Sequence, residues 1–153
     1  MGYIEDNLTS NEKVIFKTRL HWIVLIKPIL WIIVAIILFS APLAEFGTVL
    51  GVISVILALY FGLSGIANYF TSEFGVTDQR VMIKTGYLHT KTIETLLTKI
   101  EAIEVTQTLF GKGFGYGSIL ITGSGGSKSK FHHIDSPLEF RQRIQEMSVE
   151  MQK

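Results

Sequence analysis

The sequence predicts an α+β protein: a two-helix transmembrane hairpin followed by a small antiparallel β-sandwich or barrel, which one C-terminal helix caps. Three observations predict this fold. Two long apolar runs occur early in the chain, apolar and polar residues then alternate with a period of two, and a helix-initiating pattern lies near the C-terminus. We therefore expect an N-terminal cytoplasmic arm at residues 1–21, a hairpin at 22–70 and a polar domain at 71–153.

The two apolar runs are long enough to predict membrane spans. Residues 28–44 and 46–72 carry no charge, and only Glu45 separates them. A helix needs about 20 apolar residues to cross a bilayer. The second run has this length, and the first reaches it by starting near Trp22, with Lys27 extending to the headgroups. A cleaved signal peptide does not fit two consecutive runs, and so short a chain could not bury both helices.

Basic residues flank the two runs on one side only, and this predicts their orientation. They are Lys13, Lys17, Arg19 and Lys27 before or at the start of the first run, and Arg80 and Lys84 after the second. The link at residues 40–48 has no lysine or arginine. Because basic flanks remain in the cytoplasm, we expect an inner-membrane protein with two spans, both termini cytoplasmic, and a tight turn at 42–47 outside.

Small residues recur on one side of the second span. At 100° per residue, six of them fall within an arc of about 80°. They are Gly47, Gly51, Ser54, Ala58, Gly62 and Gly65. Such a stripe lets helix backbones approach closely in lipid. It predicts helix packing either within one hairpin or between subunits, so the expected partners are the bilayer, a second copy of the chain, or another membrane protein.

From residue 71 onward, the apolar pattern changes from a helical period to a period of two. Val81 and Ile83 alternate with Met82 and Lys84, and residues 102–106 alternate in the same way. This alternation predicts half-buried strands with one solvent-exposed face. Six or seven short strands at this spacing favour a small antiparallel sandwich or barrel.

A closing helix is predicted from residue 136. Ser136 is a candidate N-cap, Pro137 takes the first helical position, and Glu139 completes a Ser-x-x-Glu capping box. Phe140 and Ile144 share one face of this helix. We expect that face to cover an open end of the strands.

Four glycines alternate through the segment FGKGFGYGSILI at residues 110–121. A phosphate-binding P-loop requires G-x-x-x-x-G-K-[ST], but here Gly113 follows Lys112, and Thr106 stands where the first glycine belongs. The dinucleotide pattern G-x-G-x-x-G fails as well, and the segment precedes a strand rather than opening a helix. We expect its glycines to serve a bulged turn with positive φ angles or close backbone approach.

No residue pattern predicts a catalytic, cofactor or metal site. His132 and His133 are adjacent, so a strand would direct their rings to opposite faces. The histidines have no acidic or cysteine partners at metal-ligand spacing, and the chain contains no cysteine. The net charge of +1 gives no strong field toward nucleic acid. We therefore expect neither an enzyme nor a nucleic-acid-binding protein.

Several motifs in a fixed order carry a family resemblance. They are Thr77, Asp78 and Arg80 in a turn, the strand Val81–Lys84, Gly86, the step Leu97–Ile100, the Gly-Tyr-Gly of Gly115–Gly117, and the aspartate-x-proline of Asp135 and Pro137. In this order they resemble the bacterial membrane-anchored pleckstrin-homology-like (PH-like) domains, and two spans before the domain fit that layout. The resemblance implies a bent antiparallel sandwich capped by one helix, in proteins that are mostly interaction modules.

The expected function is a membrane-anchored interaction module that binds a protein partner or assembles with itself at the cytoplasmic face. The alternative is a domain that senses lipid headgroups. Its candidate residues are Arg80, Lys84, Lys91 and Lys112, which lie near predicted turns. Nearly balanced charge in residues 71–153 favours a headgroup site only where such residues cluster.

Overall fold

The computed structural model describes residues 2–40 and 44–151, and the chain divides into two units. One unit combines Met1–His21 with Thr71–Lys153, and the other is Trp22–Phe70. The sequence pattern suggests that the N-terminal residues form an arm separate from the polar domain. In the structure they are instead part of that domain. The turn predicted at residues 42–47 falls partly outside the described residues.

The first unit contains seven strands in the described part of the chain, and all neighbouring strands are antiparallel. The strands are β1 (Val14–Arg19), β2 (Glu73–Thr77), β3 (Arg80–Thr85), β4 (Lys91–Leu96), β5 (Ile100–Thr106), β6 (Tyr116–Gly123) and β7 (Lys128–Asp135). They form a four-stranded sheet in the order β1-β2-β3-β4 and a three-stranded sheet in the order β5-β6-β7. The predicted α+β fold is confirmed as a sandwich of two sheets, not a closed barrel.

Within the described residues, three α-helices belong to the same unit: α1 (Tyr3–Asp6), α4 (Leu109–Phe114) and α5 (Pro137–Glu150). The C-terminal helix α5 contributes Phe140 and Ile144, four residues apart, to the core between the sheets. Phe140 and Phe131 each lie edge-on to Phe74, with ring centroids 6.4 and 5.9 Å from it. Because burying one such side chain contributes about 1.5–3 kcal/mol, α5 is an integral part of the sandwich.

Met82 differs from the alternation predicted for β3, because it is buried together with Val81 and Ile83. The face that the pattern leaves to solvent is covered by α1, whose Ile4 is fully buried. Gly75, the neighbour of Met82 on β2, permits this contact, since a Cβ there would lie 2.6 Å from Ile4 Cδ1. A four-residue helix is too short for its apolar face to be recognised from periodicity.

The start of α5 also differs in detail from the prediction. Pro137 opens the helix as expected, but Ser136 has a φ of 49° and makes no side-chain cap hydrogen bond. An N-cap side chain reaches the first helical N–H groups from an extended backbone, which Ser136 does not have. The predicted capping box is therefore wrong. The Ser136 carbonyl accepts from Phe140 N–H at 3.1 Å, and the Ser136 N–H donates to the Gly115 carbonyl at 2.9 Å.

The second unit consists of α2 (Ile26–Ser40), preceded by a 3₁₀ turn, and α3 (Ala44–Thr71). The segments Trp22–Ser40 and Phe46–Thr71 have peak mean hydropathies of 2.7 and 2.3 and are long enough to cross a bilayer. In their most apolar stretches, only 11% and 17% of the residues are buried. Most of the apolar surface of these two helices is therefore exposed in the structure.

The small-residue stripe of α3 lies against α2. Gly47, Gly51, Ser54 and Ala58 are buried, and Gly62 and Gly65 are half-buried. A Cβ at Gly51 would lie 2.9 Å from the ring of Phe39, whereas one at Gly62 would lie 3.6 Å from Pro28 Cβ. The opposite side of α3 carries bulky exposed residues such as Ile56 and Tyr60. These contacts favour packing within one hairpin over packing between subunits.

Candidate functional site

The glycine-rich segment forms a short helix and then a strand. Leu109–Phe114 is α4, whose N-cap Thr108 accepts a hydrogen bond from Gly111 N–H at 3.0 Å. Gly115 ends α4 with a φ of 80°, as a positive-φ glycine at a helix C-terminus does. The positive φ is therefore confirmed, and the segment precedes a strand as expected, but its first residues belong to a short helix that the sequence pattern did not predict.

Gly117 is required for a different reason, because other segments of the chain pack directly against its Cα. A Cβ at this position would lie 2.8 Å from Gln107 Cγ, 2.9 Å from the Thr106 carbonyl oxygen and 3.0 Å from Pro137 Cγ. These atoms come from the end of β5 and the start of α5, so Gly117 lets both elements approach β6. The glycines thus shape the backbone of the sandwich.

Alanine substitutions should separate these two roles. Gly115→Ala should cost about 1 kcal/mol of unfolding free energy, since it forces a side chain into a left-handed conformation. Gly117→Ala should cost more, because the Thr106 carbonyl cannot move without disturbing β5. Gly113→Ala is the matched control: nothing lies within 4 Å of its Cβ position inside α4, so alanine should be neutral or stabilising. Thermal unfolding in detergent measures all three, and equal midpoints would contradict both roles.

The histidine pair lies at a β-bulge. Gly117 pairs with Ile134 and Ile119 with Phe131, so two residues, His132 and His133, oppose Ser118 alone. His133 has a φ of 57°, and both rings are exposed with centroids 6.2 Å apart. The prediction that they occupy opposite faces is wrong, because a bulge breaks the alternation of a strand.

The bulge extends into a row of rings. Tyr116 lies between His133, at 6.1 Å, and His21, at 5.2 Å, and His21 N–H donates to the His133 carbonyl at 2.7 Å. His132 Nδ1 is 2.9 Å from Ser118 Oγ. In the described residues no three histidine or acidic side chains are placed to hold a metal ion. The row joins the end of β1 to β6 and β7.

A buried ion pair joins the N-terminal residues to β3. Arg80 Nε and Nη2 donate to the two carboxylate oxygens of Glu12 at 2.9 and 2.8 Å, and Nη1 donates to Glu94 at 2.7 Å. The Thr77 hydroxyl donates to Glu12 Oε1 at 2.7 Å. The Glu12 side chain is completely inaccessible to solvent. This two-pronged geometry is the strongest form of a guanidinium–carboxylate contact.

The environment of Glu12 changes its pKa substantially. Burial alone raises the pKa of a carboxyl group, but the hydrogen bonds from Arg80, from the Thr9 backbone N–H and from the Thr77 hydroxyl outweigh this effect. The pKa of Glu12 is lowered to about 2. The carboxylate is therefore ionised at neutral pH and fully engaged, which marks a structural contact and not a proton donor.

The threonine–aspartate–arginine motif has a structural explanation in this cluster. Thr77 Oγ1 accepts hydrogen bonds from Gln79 N–H and Arg80 N–H and so closes the turn between β2 and β3. Asp78 accepts from Lys13 N–H at 3.0 Å, which fixes the start of β1. Sequence analysis missed Glu12, because nothing in its local pattern indicates a partner 68 residues away.

The four basic residues proposed for headgroup binding do not come together. Arg80 is occupied by the two carboxylates and begins β3, whereas Lys84 lies at the other end of that strand. Lys84 Nζ lies over the ring of Tyr3, on the α1 side of the sheet, and Lys91 Nζ lies over the ring of Phe131, on the core side. Lys112 is exposed on α4. The structure thus contains no shared anion site among these four residues.

A groove runs between β5 and α5. Its volume is about 200 Å³, and its walls are Ile100, Glu101, Ala102 and Ile103 of β5 and Ile144, Gln145 and Ser148 of α5. β5 is one of the two edge strands of its sheet and pairs with β6. An edge strand presents backbone N–H and C=O groups that can pair with another chain. The groove therefore offers a bound chain both the backbone hydrogen-bonding groups of β5 and the side chains of α5.

Comparison with protein families identifies the fold. A family model described as Bacterial PH domain matches residues 14–148, from the first residue of β1 almost to the end of α5. This chain belongs to the bacterial PH domain family. No curated protein and no solved structure matches it. The sequence suggests that the two apolar helices precede the sandwich. In this PH domain they are instead inserted between β1 and β2.

Proposed function

We propose that this protein is a membrane-anchored interaction module. Its two apolar helices span the bilayer, and its PH domain binds an extended segment of a partner protein along β5. The observation that carries this proposal is the groove between the edge strand β5 and the helix α5. A PH-like fold is compatible with many functions, so the proposal rests on this surface and not on the fold.

The strand order supports two membrane crossings. β1 precedes the hairpin and β2 follows it, yet the two strands pair, with Arg19 opposite Glu73 at the end nearest the hairpin. A chain that leaves the PH domain and returns to it must cross a bilayer an even number of times. Two helices of spanning length satisfy this requirement. The basic flanks then favour the cytoplasm as the side on which the PH domain lies.

Topology reporters should place both ends of the chain in the cytoplasm. A reporter that is active only in the cytoplasm should function when fused after Lys153, and one that is active only outside should function when inserted between Pro42 and Leu43. The reason is the basic residues beside both helices on the PH-domain side and their absence from the link. Activity of the external reporter after Lys153 would show that the orientation is reversed.

The groove fits an extended peptide better than it fits a small ligand. A peptide that adds to the free edge of β5 gains backbone hydrogen bonds, and its alternate side chains point toward and away from the groove. Ile103 offers an apolar contact there, while Gln145 and Ser148 offer hydrogen-bonding groups. Pairing through the backbone supplies affinity, and the helix wall supplies specificity.

Site-specific photocrosslinking in membranes tests this function. A photoreactive amino acid at Ala102, on the groove, should yield a discrete crosslinked product, whereas one at Ser127, in the turn between β6 and β7, should not. Ser148→Trp should abolish the product by filling the groove. Gln142→Trp, an exposed position on the same helix outside the groove, is the matched control and should leave it unchanged.

The mass of the crosslinked product distinguishes the kinds of partner. A product of twice the mass of the chain identifies a second copy, and any other discrete mass identifies a different protein. Equal labelling at Ala102 and Ser127, or a product that survives Ser148→Trp, would refute binding in the groove. Crosslinking to lipid alone would favour the headgroup-sensing alternative, for which the dispersed basic residues offer no assembled site.

A further inference from the structure

Five large apolar side chains project from two short segments of the PH domain, and we call them the apolar tips. Their exposed fractions are 60% for Tyr87, 76% for Leu88, 87% for Leu109, 73% for Phe110 and 53% for Phe114. The first two belong to the turn between β3 and β4, and the other three belong to α4. Concentrations of exposed apolar side chains mark a surface that contacts another molecule or a membrane.

The β3–β4 turn lies beside the point where the chain re-enters the PH domain from α3. Gly86 N–H donates to Ser72 Oγ at 3.4 Å, and Ser72 is the residue directly after Thr71, the last residue of α3. The strand register agrees, since Glu73 pairs with Lys84 next to this turn. The turn therefore lies at the end of the PH domain to which α3 is joined.

The helix α4 lies beside the point where the chain leaves the PH domain. Tyr116 follows Gly115, the C-cap of α4, and its ring is 5.2 Å from that of His21. His21 directly precedes Trp22, the first residue of the first apolar segment. Arg19 pairs with Glu73, so the exit and re-entry points are neighbours. Both sets of apolar tips thus belong to one end of the PH domain, the end joined to the hairpin.

We propose that the apolar tips enter the interfacial region of the bilayer that the hairpin spans. The proposal rests on the membrane anchoring proposed above. Covalent attachment at His21 and Ser72 holds this end of the PH domain at the bilayer surface, where apolar side chains are buried about 5–10 Å deep at the boundary of headgroups and acyl chains. Each of the five is at least half exposed to solvent where no bilayer covers it.

The residues around the apolar tips have the chemistry of a membrane interface. Tyr87 combines an apolar ring with a polar hydroxyl, as interfacial aromatic residues do. Lys112 lies exposed within α4, so it can extend toward headgroup phosphates. This lysine acts beside inserted apolar groups and not as part of a shared headgroup site. Contact of both the β3–β4 turn and α4 with the bilayer also fixes the orientation of the PH domain relative to the membrane.

That orientation leaves the β5–α5 groove accessible. The groove is lined by the first half of β5, Ile100 to Ile103, whereas α4 follows the last residue of that strand. The two surfaces therefore lie toward opposite ends of β5. Insertion of the apolar tips directs the groove away from the bilayer, toward partners in the cytoplasm.

Depth measurements with single cysteines test the inference directly, because the chain has no cysteine of its own. The full chain is reconstituted in phosphatidylcholine–phosphatidylglycerol vesicles with the environment-sensitive label NBD at Leu88→Cys or Phe110→Cys. Leu96→Cys is the matched control, since it is an exposed leucine at the opposite end of the β3–β4 pair, beside Arg80. Ile36→Cys, an exposed position in α2, reports on the hairpin itself.

Labels at Leu88 and Phe110 should be quenched severalfold more strongly than the label at Leu96 by a lipid carrying a doxyl group near the headgroup. The label at Ile36 should be quenched best by a doxyl group deeper in the acyl chain. Quenching at Leu88 and Phe110 no stronger than at Leu96, with Ile36 still quenched, overturns this inference alone. Strong quenching at Leu88 alone, or at Phe110 alone, overturns the claim that both the β3–β4 turn and α4 contact the bilayer. No quenching at Ile36 overturns both this inference and the membrane anchor.

Discussion

Replacing Arg80 with methionine should destabilise the PH domain by about 3–5 kcal/mol, because it leaves the buried Glu12 carboxylate without its cation. The Glu12 side chain has no solvent-accessible surface, so water cannot replace the two hydrogen bonds from the guanidinium group. The effect is expected as a lower thermal midpoint in detergent and faster proteolysis of residues 7–12. Lys130→Met, at an exposed position on β7, is the control and should change neither.

The double variant Glu12→Leu/Arg80→Met should recover much of the stability that Arg80→Met loses. Buried ion pairs contribute little net stability relative to an apolar pair of similar volume, whereas one unpaired buried charge is costly. If the double variant is no more stable than Arg80→Met, the loss comes from the other Arg80 contacts, to Glu94 and the Asn7 carbonyl, and the account of Glu12 fails.

The lowered pKa of Glu12 predicts a particular dependence of stability on pH. Because the pKa is about 2 in the folded state and near 4.5 without these contacts, folding favours the ionised form. The corresponding stabilisation is complete above pH 4.5 and is lost as pH falls through the folded pKa of about 2. Glu12→Gln should remove this contribution, so the difference in unfolding free energy between parent and variant should shrink as the solution is acidified. A constant difference would show that Glu12 does not titrate in this way.

Leucine at Gly51 should disrupt the helical hairpin, since the position is in contact with the ring of Phe39. Overfilling a packed contact costs about 1–3 kcal/mol, and in lipid the close approach of helices is itself the source of packing energy. Even Gly51→Ala should weaken packing, because its Cβ would lie 2.9 Å from that ring. Gly62→Ala should be tolerated at 3.6 Å from Pro28, while Gly62→Leu should not.

Protease sensitivity and assembly size in detergent measure these variants together. Greater sensitivity at constant size means that the stripe packs within the hairpin, and adding Phe39→Ala should then relieve Gly51→Leu. A shift from oligomer to monomer would place the stripe between subunits instead. Val49→Leu enlarges a residue on the exposed side of α3 and is the control. If Gly51→Leu behaves like Val49→Leu, the stripe does not pack against a helix.

Local patterns were sufficient to predict most elements of this fold. The apolar runs, the period-two alternation and the proline at residue 137 identify α2, α3, several strands and α5. What they could not predict are contacts between distant parts of the chain. β1 pairs with β2 across the whole hairpin, Glu12 meets Arg80, and Ile4 covers Met82. Periodicity describes which face of an element is apolar, but not which distant element covers it.

In the candidate sites, too, features that depend on neighbouring residues could be predicted, and features that depend on distant contacts could not. The expected positive φ in the glycine segment could be predicted, because it depends on one residue and its neighbours. The β5–α5 groove and the apolar tips could not, since each joins segments that only the tertiary fold brings to one surface. The four basic residues lie near turns in the sequence, but the strand register directs Lys84 and Lys91 to different faces of the sheet, which local patterns could not indicate.

Insertion of the hairpin between β1 and β2 has a consequence for biosynthesis. β1 leaves the ribosome first, and its partner strand follows only after both apolar helices have been made. Closing so long a loop costs entropy, but a hairpin with Leu25 packed near Gly65 brings its two ends together and removes most of that cost. A chain whose helices fail to pair would keep the edge of β2 unpaired and exposed to proteases. Pairing of the two helices therefore makes completion of the four-stranded sheet easier.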